Sequence, residues 1–328
     1  MDFLPSVDQS ALAGAVHDFC THEVGEGRIR ALADVDGFDP ALWRGLAEMG
    51  LFGLRTPERD GGLGLGLAEA VLVFTELGRA LVPGPLVASH LAATAIPGGT
   101  ADGEIVGLVE VGDGAGPVLV EHFTQLRRLI VVTDESVLDV APSAVRVTEV
   151  PQPLDPLTPL HQLHGQPSGV AIGDGRLARD LRREGAALTA ALQLGIAEAA
   201  LERTSRYAVE REQFGRVIGS FQAVKHMLAD MQARVEVAGA AVHAAAVTLD
   251  DPQVGSVDKA VSTAKLIADE AATQNCTDAV QLHGGMGFTW ELDIHLYLKR
   301  AWVHATAFGD ADDHAERLAQ LLEAGAPR

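Results

Sequence analysis

The sequence predicts an α+β protein with an N-terminal helical domain at 1–83, a small middle β domain at 84–175 and a C-terminal four-helix bundle at 176–328. The first observation is the proline distribution. Of 15 prolines, three precede residue 80, ten lie from Pro83 to Pro167, and only Pro252 and Pro327 follow. Proline is excluded from helix interiors, so the second half can be helical almost throughout. The second is a set of β-prone runs, EIVGLVEV from 104, GPVLVEHF from 116, RLIVVTD from 128 and VRVTEV from 145, separated by Gly, Pro, Asp and Ser at intervals that suggest an antiparallel sheet. The third is apolar spacing of three and four on both sides of that region.

Each element follows from local chemistry. Pro40 to Met49 reads as a helix with Asp39 as N-cap and Gly50 as stop, and Leu67 to Leu81 reads as a second. From Arg176 the pattern is again helical, with Leu188, Leu192, Gly195, Ile196 and Ala199 on one stripe and a break at Phe214 and Gly215. Helices are expected over Phe221 to Leu249, Val257 to Leu282, Glu291 to Ala307 and Asp312 to Ala324, the inventory of an up-and-down bundle.

Composition excludes several functions. At 328 residues and 47% hydrophobic, the chain can bury a large core without disulfides or metal. A formal charge of −20 repels nucleic acid and anionic membrane surfaces. Cys20 and Cys276 lie far apart, and MDFLPSVDQS lacks the pattern of a secretory leader, so a reducing cytoplasm is expected. No uninterrupted apolar run is long enough to span a membrane.

Several motifs carry weak signals. GGLGLGL at 61–67 departs from the dinucleotide fingerprint and follows PERD rather than a strand, so it reads as a flexible connection. His161 with His164, and Asp310, Asp312, Asp313 with His314, have metal-ligand residue types without spacing that closes a site, so structural or solvated roles are expected. The common hydrolase, kinase and redox signatures are absent.

Two strings carry more. RYAVEREQFGRVIGSFQAVKHMLADM, from Arg206, places a guanidinium (Arg211), an aromatic ring (Phe214) and an amide (Gln222) around one interhelical corner. Arg can hold a phosphate bidentately, an aromatic can stack on a base, and Gln can bond a heterocycle edge. QLHGGMGFTWELDIHLYLKRA, from Gln281, ends a helix at Gly284, Gly285 and Gly287, where another chain or a ligand can approach the backbone. The bland readings are a helical hairpin and a plain C-cap.

Through these strings, and through WRGLAEMGLFGLRTPERDGGLGLGLAEAVLVFTELGRAL near the N-terminus, the chain resembles the acyl-CoA dehydrogenase family over its whole length. The resemblance implies an acyl-CoA dehydrogenase-like fold with FAD at a subunit interface, where the flavin takes a hydride from the substrate β-carbon while a carboxylate removes the α-proton. It assigns Arg211, Phe214 and Gln222 to the pyrophosphate and adenosine end of the flavin, with Gln281, Gly284, Gly285 and Gly287 near the same half. The implied partners are an acyl-CoA substrate, a second subunit and an electron-transfer acceptor.

The chain departs from the family at its chemistry. The segment that should hold the catalytic glutamate reads Ala307, Phe308, Gly309, Asp310, with Phe308 at the position of the base. The alternative position used by some relatives falls on Gly185, with Glu184 one residue away, about 100° around the helix. No catalytic base is therefore assigned. The middle region, VLVEHFTQLRRLIVVTD, also lacks the hydroxyl and amide segments with which the family grips the flavin ring. The combination resembles the smaller subunit of the actinobacterial two-subunit enzymes, α2β2 assemblies acting on steroid side-chain CoA thioesters. A self-sufficient homo-oligomer with a relocated base at Glu184 or Asp310, and a non-catalytic scaffold, are the alternatives.

Overall fold

The computed structural model describes residues 5–25, 27–35, 37–96, 99, 101–112 and 116–325. In chain order the elements are α1 (Val7–Glu23), α2 (Arg28–Ala33), α3 (Pro40–Glu48), α4 (Leu67–Arg79) and α5 (Leu86–Ala95). Seven strands follow: β1 (Val106–Glu110), β2 (Leu119–Glu121), β3 (Arg128–Val132), β4 (Ser136–Val140), β5 (Arg146–Glu149), β6 (Leu160–His164) and β7 (Val170–Asp174). The chain then forms α6 (Gly175–Glu210), a hairpin of β8 (Glu212–Gln213) and β9 (Arg216–Val217), α7 (Gln222–Asp250), α8 (Val257–His283), α9 (Ile294–His304) and α10 (Ala311–Gly325). They group into two compact units, one of residues 27–66 and 83–185, the other of residues 1–26, 67–82 and 186–328.

In the first of these units, two sheets carry the strand region. One has the order β1-β3-β4-β7 and the other β2-β6-β5. The runs from 104, 116, 128 and 145 become β1, β2, β3 and β5. The expectation of an antiparallel sheet needs correcting at one pair: β1 and β3 run parallel, Val106 opposite Arg128. This is possible because the chain leaves the sheet between them to place β2 in the other one. Val109, Val120, Leu126, Leu129, Val131, Val140 and Leu163 form the shared core. Asp39 caps α3, accepting from the Ala41 and Leu42 amides at 2.8 and 3.4 Å.

In the second unit α6 is the central element. From Ala186 to Ala200 only Glu198 reaches intermediate exposure, so the single apolar stripe expected there is in fact a helix buried on all sides. Its small residues allow α4 to cross it backbone to backbone. A Cβ at Gly195 would lie 1.9 Å from the Thr75 carbonyl oxygen, and one at Gly78 would lie 2.1 Å from that of Leu192. Asp250, the last residue of α7, accepts from the Leu67 and Ala68 amides at 2.9 Å and so caps α4 from a distant part of the chain. Asn275 of α8 donates to the Ala197 and Met231 carbonyls, and Arg234 of α7 reaches Asn275 and Asp278 at 2.9 and 2.8 Å. No described helix is long and apolar enough to cross a membrane.

Two predictions follow from this packing. Gly195→Ala should cost at least about 1–3 kcal/mol, the range for overpacking, because backbone rather than a movable side chain blocks the new methyl; a urea midpoint equal to wild type would contradict the crossing. His90 is wholly buried, and burial, with Arg55 nearby, pushes its pKa down to about 3. The unfolded imidazole titrates near 6.5, so the stability it carries is present above that value and is lost as pH falls toward 3. Relative to His90→Asn, the wild type should lose about 3 kcal/mol between pH 7 and 4 by the same relation. A pH-independent difference would show that the ring is solvated.

Candidate flavin and substrate site

The corner predicted from the first string is built by α6, the β8–β9 hairpin and α7. Helix α6 ends at Glu210, and the hairpin turns through Phe214 and Gly215, with φ of 55° and 77°. Arg211 is exposed, and its guanidinium makes no ion pair among the described residues. The Phe214 side chain is 93% exposed, in a left-handed conformation uncommon for an aromatic residue. It meets Phe221 edge-on at 6.2 Å, and Arg216 lies over the other ring at 4.1 Å. Gln222, exposed, opens α7, whose N-cap residue Phe221 offers no side-chain bond to the first amides. A fully exposed ring beside an unpaired guanidinium and an uncapped helix start suits an aromatic, anionic ligand.

The second string lies at the end of α8. Gln281 is exposed in the last turn, and Gly284 reverses the chain with φ 61° and ψ −142° before a short 3-10 turn over Gly284–Phe288. A Cβ at Gly284 or Gly285 would meet nothing within 4 Å, so both backbones face open space, whereas one at Gly287 would press the Val280 carbonyl at 2.5 Å. Two of the three glycines therefore border room for a ligand, and the third is required by packing. The two strings are neighbours: Tyr207 of α6 stacks on His283 of α8 with ring centres 4.2 Å apart. Burial, with Arg203 nearby, lowers the His283 pKa, and its Nδ1 bonds the Ala279 carbonyl at 2.7 Å. This stack, which fixes the separation of the strings, was not foreseen; no spacing in the sequence marks it.

The candidate bases are already engaged. Glu184 accepts two bonds from Arg55, at 2.7 and 3.2 Å. Asp310 accepts from the Asp312 and Asp313 amides at 3.0 Å and caps α10. Phe308 sits at φ 57° and Gly309 at φ 94°. The segment around them is held by Lys265, whose side chain is wholly buried beside Asp269 and whose Nζ donates to the carbonyls of His304, Ala305 and Gly309 at 3.3, 3.4 and 3.2 Å. Gln193 of α6 bonds Asp269 and the Ala301 carbonyl, each at 2.9 Å. The Lys265–Asp269 pair shows the i,i+4 spacing of an ordinary surface pair, which is why its role was not legible.

The remaining candidates are structural. His164 bonds Thr148 at 2.8 Å and His161 packs on Phe123. His314 bonds Ser262 and the Phe308 carbonyl, with its pKa pushed down to about 4 by burial and by Lys265. No group of three metal-ligating side chains occurs among the described residues.

Comparison with known proteins agrees with the fold. Residues 6–101 match the acyl-CoA dehydrogenase N-terminal domain, and 176–322 match its C-terminal domain. The chain is 35% identical to acyl-CoA dehydrogenase IpdE2 of Mycobacterium tuberculosis (strain ATCC 25618 / H37Rv), covering 90% of this chain and 92% of that one. The ChsE4–ChsE5 complex of Mycobacterium tuberculosis superposes with a TM-score of 0.85 at 26% identity over 100% of both chains. A variant of the Tcur3481–Tcur3483 steroid acyl-CoA dehydrogenase gives 0.82 at 26% over 97% and 98%.

The glycine turn can be checked without any ligand. Gly284→Ala should cost about 1–3 kcal/mol, because its dihedrals are open only to glycine, and Gly285→Ala should stay within about 0.5 kcal/mol of wild type. Equal unfolding midpoints for the two variants would contradict the turn. By sequence and fold, the chain belongs to the acyl-CoA dehydrogenase family, a family of FAD-binding flavoproteins.

Proposed function

We propose that this chain is one subunit of a heteromeric acyl-CoA dehydrogenase, in which it supplies contacts to the adenosine and pyrophosphate half of FAD while a partner subunit supplies the catalytic base. The observation that carries the reading is that no free carboxylate stands at either position where the family places its base. By the family resemblance Phe308 and Gly185 fall on those positions, and in the structure Glu184 is bound to Arg55 and Asp310 caps α10. General-base catalysis requires a carboxylate within hydrogen-bond reach of the proton it removes. Freeing Glu184 or Asp310 for that task would cost an ion pair or a helix cap.

The residues fit half of the cofactor well. Arg211, Phe214 and Gln222 are exposed together, and the backbones of Gly284 and Gly285 stand open. In this reading Arg211 holds a phosphate by charge-assisted bonds, Phe214 covers the adenine, Gln222 bonds its edge, and Gln281 with the glycine turn bounds the same pocket. The region around β2 offers fewer groups to the isoalloxazine ring. When bound, FAD supplies the two-electron oxidation of the substrate Cα–Cβ bond. The partners in this reading are a CoA thioester, a second acyl-CoA dehydrogenase subunit in an α2β2 assembly, and an electron acceptor. A bulky acyl group such as a steroid side chain agrees with the steroid enzyme among the similar structures, since fewer working sites per assembly leave room for it. The three-part division at 83 and 175 belongs to this reading.

The test is kinetic. In the co-expressed complex, Glu184→Gln and Asp310→Asn together should leave kcat within about threefold of wild type, whereas Arg211→Ala should weaken FAD by about 1.5–3 kcal/mol, the value of a charged hydrogen bond. Loss of turnover in the carboxylate variant with FAD retained would assign the base to this chain. Unchanged FAD affinity in Arg211→Ala would leave only a scaffold.

A further inference from the structure

Apart from the flavin corner, the unit of residues 1–26, 67–82 and 186–328 contains a cavity of about 820 Å³, half open to solvent, bounded by α1, α4, α6 and α7, with Glu236 exposed at its mouth. It exists because α7 presents small residues, Gly239, Ala240 and Ala244, where larger ones would fill the space. A Cβ built on Gly239 touches only Leu194, at 3.9 Å. Leu72, Leu194 and Val235 give the cavity an apolar wall, and Thr75 and His243 also line it, burial holding the His243 pKa below its ordinary value so that the ring adds no cation.

The polar part of the wall is unbalanced. Arg79 is shared among Glu76, Glu198 and Glu202, with Nε 3.2 Å from Glu76 and Nη1 3.3 Å from Glu202. Glu236 also lines the cavity, held by Gln232 at 2.7 Å rather than by a cation. His17 meets Glu76 at 2.8 Å, and Arg206 lies 3.6 Å from Glu202 outside the wall. Three of the four carboxylates line the cavity with one guanidinium among them. Burial raises the Glu198 pKa, Arg79 pulls against it, and Glu76, Glu236 and Glu202 push it further up. A cation inside would relieve that repulsion, and an anion would increase it.

We propose that this cavity binds a small organic cation with an apolar body, of the alkylammonium class, its ammonium set among Glu76, Glu198 and Glu236 and its hydrocarbon against Leu194 and Val235. The volume is that of a small-molecule site, and an apolar wall with a few convergent polar groups is how such sites are built. Nothing in the site resembles the phosphate-holding corner at Arg211, so this ligand is neither the cofactor nor the CoA part of a substrate.

The experiment is isothermal titration of the full chain, alone and in its complex, with octylammonium chloride and with sodium octanoate. Octylammonium should bind saturably at one site per chain and at least tenfold tighter than octanoate. Gly239→Leu, which fills the cavity and favours the helix, should abolish binding. Glu198→Gln with Glu236→Gln should weaken octylammonium at least fivefold without weakening octanoate. Equal affinity for the two amphiphiles, binding unchanged in Gly239→Leu, or no saturable heat would overturn the proposal. Circular dichroism of each variant separates loss of binding from loss of fold.

Discussion

The close crossing of α4 over α6 is the constraint on which the larger unit depends. Gly78 and Gly195 face the backbone of the opposite helix at distances no side chain could occupy. Helices that touch through glycine gain dispersion contact along their main chains, and they lose the freedom to slide, because a neighbouring residue in either position would collide. The crossing places Arg79 beside Glu198, and it leaves the Arg79 carbonyl to accept from the buried Tyr297 hydroxyl at 3.1 Å. Arg300 reaches the Val82 carbonyl at 3.2 Å just beyond it. Two segments far apart in sequence are thereby fixed to the bundle by the same few residues.

From that anchor the buried polar network extends along the bundle to the segment at 304–309. Gln193 precedes Gly195 by less than a turn, bonds Asp269, and so connects the crossing to the Lys265 clamp. A buried ammonium with a carboxylate and three carbonyls is satisfied as a unit; removing one member would leave a charge in the interior, which costs far more than the pair gains over an apolar core. The segment at 304–309 is thus held to α8 through three of its carbonyls, and it contains Phe308, the residue that the family resemblance aligns with the base. In the reading proposed above, a scaffold held this firmly without a base of its own fits a subunit whose role is assembly and cofactor binding rather than proton transfer.

Much of this was legible in the sequence. Helix α7 was expected at Phe221 to Leu249 and spans Gln222–Asp250; α8 was expected to end at Leu282 and ends at His283. Long proline-free segments with strong periodicity leave few alternatives. The ends of α9 were less legible, since Glu291 to Asp293 and Ala305 to Ala307 are turns whose residues have fair helix propensity. In the β region, β4, β6 and β7 were not anticipated. LHQLH has polar residues on both faces, and VAIGD contains a glycine and an aspartate that read as turn. The parallel pairing of β1 with β3 depends on which sheet β2 joins, a non-local choice that no run of residues encodes. The candidate site residues rest on the resemblance of two strings, while the Tyr207–His283 stack, the Arg55–Glu184 pair and the Lys265 clamp depend on burial and distance.

The most direct test of the central claim is flavin content per chain, measured by absorbance on this protein purified alone and after co-expression with an acyl-CoA dehydrogenase subunit encoded beside it. A colourless protein alone, and one flavin per pair of unlike chains in the complex, is the predicted result. One flavin per chain in the isolated protein would contradict it and return the catalytic base to this chain.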